Sequence, residues 1–92
     1  MENNYQKLYE FFAAWFPDAD LEGLSDEEIV RKFKKTIGEN ELQTVIQECE
    51  DMIVAEPLPT EKIKTEAWRQ FENESGYREW LKMVHKELIT GN

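Results

Sequence analysis

The sequence predicts an all-α fold, a compact bundle of four to five short helices, from three observations. Apolar residues recur at three- and four-residue spacing in five separate segments, and no segment alternates polar and apolar residues as a half-buried strand does. Proline, glycine and capping residues punctuate the chain at intervals that suit short helices and short loops. Residues 1–92 are expected to form one domain, because a chain this short builds a single hydrophobic core.

Tyr5, Leu8, Tyr9, Phe12, Trp15 and Phe16 fall on one face of a first helix, which Pro17 is expected to end. Residues 18–23 then read as a polar loop, with Leu21 anchored on the core. Ser25 and Glu28 form a capping box: the serine oxygen accepts from an orphan helix amide, and the glutamate reaches back to the serine amide. The helix that follows turns Ile29, Val30, Phe33 and Ile37 inward and Arg31, Lys32, Lys34 and Lys35 outward, and Gly38 suits its end.

Asn40 and Gln43 suggest a second capping box ahead of the stripe Leu42, Val45, Ile46, Cys49, Met52 and Ile53, with Pro57 and Pro59 as the stop. Thr60 is the expected N-cap of a fourth helix that carries Ile63, Ala67 and Phe71 on one face and Trp68 at its edge. Ser75-Gly76 interrupts the pattern. A fifth helix follows with Tyr77, Trp80, Leu81, Val84 and Leu88 in register, and the closing Thr90-Gly91-Asn92 is expected to fray.

Composition narrows the function. Twenty Asp and Glu against eleven Lys and Arg leave a net charge of -9, which disfavours direct binding to nucleic acid or to anionic membranes and favours a basic protein surface as partner. Five Phe, three Trp and three Tyr argue for a packed core rather than a disordered acidic tail. One cysteine leaves no internal disulfide, and the first residues carry neither a basic region nor an apolar run of signal-peptide length. A cytoplasmic protein that is a monomer when free is the expectation.

Candidate chemistry is sparse. Asp18, Asp20 and Glu22 before Gly23 resemble the first half of a calcium-binding EF-hand loop, but Ile29 occupies the position of the bidentate glutamate and Glu28 is one residue short. Cys49 sits inside an apolar stripe and reads as a structural thiol, and His85 needs no role beyond packing. We expect no catalytic residue, metal or cofactor.

The distribution of charge says more. From Thr36 to Glu61 there is no Lys or Arg, so the third helix has no base of its own to offset its acids. Glu41, Glu48 and Asp51 share one face of it. Together with Asp18, Asp20 and Glu22 they are candidates for a negative surface that meets a basic partner, with Trp68 as a candidate aromatic anchor.

Taken in order, several segments resemble the small helical immunity proteins of bacterial contact-dependent growth inhibition systems. They are Tyr5-Gln-Lys-Leu8-Tyr9-Glu-Phe11-Phe12 with Trp15-Phe16, the acidic stretch after it, Asp26-Glu27-Glu28-Ile29-Val30, the Leu42 to Ile46 stripe and Trp80-Leu81-Lys-Met-Val84. The resemblance implies a protein with no catalytic residues that binds the C-terminal domain of a cognate toxin, in many cases a nuclease, and keeps it inactive. An acidic helical adaptor unrelated to toxins is the alternative.

Overall fold

The computed structural model of the chain describes residues 5–90; the expectations for Met1–Asn4 and for Gly91 and Asn92 lie outside the described residues. Five helices follow in order: α1 (Gln6–Glu22), α2 (Asp26–Thr36), α3 (Glu39–Ile53), α4 (Thr60–Ala67) and α5 (Glu74–Ile89). No strand occurs among the described residues. The α1 helix packs on α4, α3 and α2, and α5 closes the bundle against α3 and α2. The Cα radius of gyration, 12.3 Å, equals the ~12 Å typical of a folded chain of this length.

The five aromatic rings Phe11, Phe12, Phe16, Phe33 and Trp80 dominate the core. Phe11 stacks on Phe33 of α2 with centroids 4.0 Å apart, while Phe12 and Phe16 approach Trp80 of α5 at 5.2 and 5.1 Å. Each such ring contributes about 2–3 kcal/mol of burial, so three helices are fixed around one aromatic cluster. Smaller residues complete the interior: Val45, Cys49 and Met52 from α3, Ile63 and Ala67 from α4, and Leu81, Val84 and Leu88 from α5.

The α2 start follows the local rule. The Ser25 oxygen accepts from the Glu28 amide at 3.1 Å, and Glu28 accepts from the Ser25 amide at 2.8 Å. Elsewhere the expected boundaries move. Pro17 does not end α1, which runs five residues further and buries Ala19. The bond that Pro17 cannot donate would have gone to the Ala13 carbonyl, which lies on an exposed turn open to solvent, so the loss costs little. The extra turns leave Leu21 on the outer face, 80% exposed rather than anchored. Gly23, at φ 76°, supplies the left-handed stop.

Gly38 has an ordinary φ of −70° and is the N-cap of α3, with no side-chain cap; the box expected at Asn40 and Gln43 does not form, because α3 already begins at Glu39. That helix ends at Ile53, ahead of both prolines. Pro59 rather than Thr60 precedes α4. Ser75 and Gly76 belong to α5, whose N-cap Asn73 accepts from the Gly76 amide. Glycine is needed at 76 for space, since a Cβ there would meet the Phe71 Cβ at 2.8 Å.

Helix ends left uncapped by their own sequence are completed by other helices. The Glu48 carboxylate on α3 accepts from the Leu8 amide in the first turn of α1 at 2.8 Å. Arg78 on α5 donates to the Ile53 and Ala55 carbonyls at the end of α3, both at 2.8 Å. Lys34 on α2 donates to the Glu87 and Thr90 carbonyls at the end of α5, both at 2.6 Å. Each puts charge where the helix dipole stabilises it.

Candidate partner interface

The six candidate acids occupy two places. Asp18, Asp20 and Glu22 lie on the last turns of α1, where residues two apart point to nearly opposite sides of the helix. Asp20 pairs with Arg69 at 3.0 Å, Glu22 pairs with Lys32 of α2 at 3.4 Å, and Asp18 is exposed. Being helical, the stretch does not form the calcium-loop geometry its spacing suggested. Among the described residues no group of three or more His, Cys, Asp or Glu could hold a metal ion.

The other three, Glu41, Glu48 and Asp51, line the side of α3 that faces the start of α1. Glu41 pairs with Lys7 at 3.5 Å, Glu48 caps Leu8, and Asp51 accepts from Gln47 at 3.1 Å. Burial and then the Asp51 charge raise the pKa of the Tyr5 phenol above its ordinary 10.0. The α1 helix has no acid in its own first turn, so these carboxylates stand in for one. The run without Lys or Arg therefore has an internal correspondence: α3 receives Lys7 and Arg78 from its neighbours.

Among the described residues Trp68 is the exposed aromatic, 60% accessible, in the left-handed conformation (φ 59°) directly after α4. Its neighbour Arg69 is a residue the sequence reading passed over. Arg69 binds Asp26 through two nitrogens and Asp20 through a third contact, and its guanidinium lies 5.3 Å from the Phe16 ring centroid. Asp26 also accepts from the Trp80 indole at 2.7 Å. Burial pushes the Asp26 carboxyl up, but the hydrogen bonds from Arg69 and Trp80 and the Arg69 charge outweigh it, leaving it below its ordinary 3.8. One guanidinium thus ties the end of α4 to α1 and α2 and fixes the backbone that presents Trp68. Leu21, the residue after Asp20, is also an exposed apolar side chain.

The potential nucleophile and base are not joined. Cys49 is fully buried, its thiol directed to the Leu81 carbonyl at 3.6 Å, and burial followed by the Glu50 charge pushes its pKa up to about 12. The His85 Nε2 contacts Glu50 at 2.9 Å. Among the described residues no helix is long and apolar enough to cross a membrane.

A family model described as CdiI immunity protein matches residues 4–88. No curated protein and no solved structure matches the chain.

Proposed function

Because the chain belongs to the CdiI immunity protein family, we propose that it binds the C-terminal domain of a cognate contact-dependent growth inhibition toxin, a nuclease with a basic surface, and blocks it sterically and electrostatically. The observation that carries this reading is the family match across residues 4–88. The net charge of -9 supports the choice of a basic partner, since opposite fields speed encounter and a phosphate-binding cleft is positively charged. In this reading the protein acts in the cytoplasm as a monomer when free, works by binding rather than catalysis, and needs no cofactor. The buried, protonated thiol of Cys49 is in keeping with that.

The contact surface we assign combines Trp68 with the acids Asp18, Asp20 and Glu22 at one end of α1, and Glu41, Glu48 and Asp51 at the other. The test is expression of the C-terminal domain of whatever protein is encoded immediately upstream of this chain's gene. Growth arrest relieved by co-expression, together with a stable purified complex, is the expected result. Arrest that persists despite soluble protein overturns the proposal.

A further inference from the structure

Between α1, α2 and α3 lies a pocket of about 190 Å³, large enough for one long side chain. Phe11, Trp15, Phe33, Ile37 and Val45 make its walls apolar, and Trp15 meets the Phe33 ring edge-on at 5.6 Å. Its rim is ionic. The Lys7 ammonium sits between two carboxylates there, 3.8 Å from Glu10 and 3.5 Å from Glu41. All three side chains are about half exposed, so this cation is held loosely and can be exchanged.

Resting on the toxin-binding reading above, we infer that this pocket receives an arginine or lysine side chain of the basic partner. Its stem lies against Trp15 and Phe33, and its charged head displaces Lys7 from between Glu10 and Glu41. Charge complementarity and shape select this occupant: an aromatic floor with two carboxylates at its mouth fits an apolar stem ending in a cation. The same fold already uses that pairing twice, with Lys62 5.3 Å from the Tyr9 ring centroid and Arg69 at the same distance from Phe16. The larger groove lined by Leu42, Ile46 and Leu88 lacks the feature: no aromatic ring lines it, Glu50 is its one carboxylate, and its Lys34 is held by the α5 carbonyls.

The experiment titrates the isotope-labelled protein with the purified C-terminal domain of the protein encoded immediately upstream and follows the Trp15 indole resonance, with affinities measured alongside. We expect the Trp15 signal to shift and the double variant Glu10→Gln, Glu41→Gln to bind about 30-fold more weakly, as loss of a desolvated charge pair gives. Lys7→Ala should bind more tightly than wild type, and by more than Lys35→Ala, which removes the same charge away from the pocket. A complex that forms with Trp15 unmoved and the double variant unaffected overturns the pocket while leaving toxin binding intact. A Trp15 shift without sensitivity to the two glutamates assigns the pocket an apolar occupant and overturns the cation. Absence of any complex with the wild-type protein removes the toxin-binding reading itself and this inference with it. Should the double variant fail to fold, the Lys7→Ala comparison and the Trp15 signal decide.

Discussion

The carboxylate of Glu48 on α3 caps the amide of Leu8 on α1 at 2.8 Å, across forty residues of sequence. A residue proposed for partner contact on its charge thus also completes a helix start that has no side-chain cap of its own. Glu48→Ala should lower the free energy of unfolding by about 1 kcal/mol, the usual cost of a lost N-terminal cap. Urea denaturation checks this through a lowered midpoint at unchanged slope. An unchanged midpoint would leave Glu48 with no part in holding α1.

The clasp around Asp26 predicts an acid-sensitive fold. Because its folded pKa lies below the ordinary 3.8, the stability that Asp26 contributes is complete above that value and disappears as the pH falls through the folded pKa. Thermal melts between pH 5 and pH 2 should therefore fall less steeply for Asp26→Asn than for wild type. Arg69→Met, which strands a carboxylate only 21% exposed, should cost about 2–3 kcal/mol at neutral pH.

These two contacts mark how far the sequence could be read. The α2 helix was legible because every part of its start lies within four residues, from Ser25 to Glu28. The end of α1 was not. Pro17 is a local stop signal, and burial of Ala19 against the rest of the bundle overrides it. The absence of Lys and Arg around α3 was visible in the sequence, but its intramolecular partners Lys7 and Arg78 sit in other helices. Arg69 carried no signal at all: its carboxylate partners are 43 and 49 residues away, and nothing in the spacing around it marks a buried ion pair.

Trp68 allows stability and binding to be separated. At φ 59° a residue with a Cβ is strained, so Trp68→Gly should be more stable than Trp68→Ala by about 1 kcal/mol. If the exposed ring anchors the toxin, both variants should lose affinity equally, by about tenfold or more. Paired thermal melts and binding isotherms read the two effects. Equal stability of the two variants would speak against the strained conformation, and unchanged affinity would move the anchor elsewhere.

Cys49 should be inert in the native protein. With the thiol buried and its pKa near 12, the thiolate that reacts with alkylating agents is scarce at pH 8, and reagent access is closed. Native protein should resist labelling by a thiol reagent over hours, with one equivalent reacting after denaturation. Rapid native labelling would contradict the buried, protonated thiol.

The exchanged caps have a consequence for how the molecule comes apart. The start of α1 depends on α3, the end of α3 on α5, the end of α5 on α2, and Asp26 in the first turn of α2 on the arginine that follows α4. Fraying at any of these ends must break a contact with a second helix, so partial opening gains little entropy before it disturbs the whole bundle. Amide protons near the helix termini should then exchange with solvent through global rather than local openings. A small protein built this way keeps its backbone in one shape until it unfolds entirely, which suits a rigid plug better than a flexible clamp.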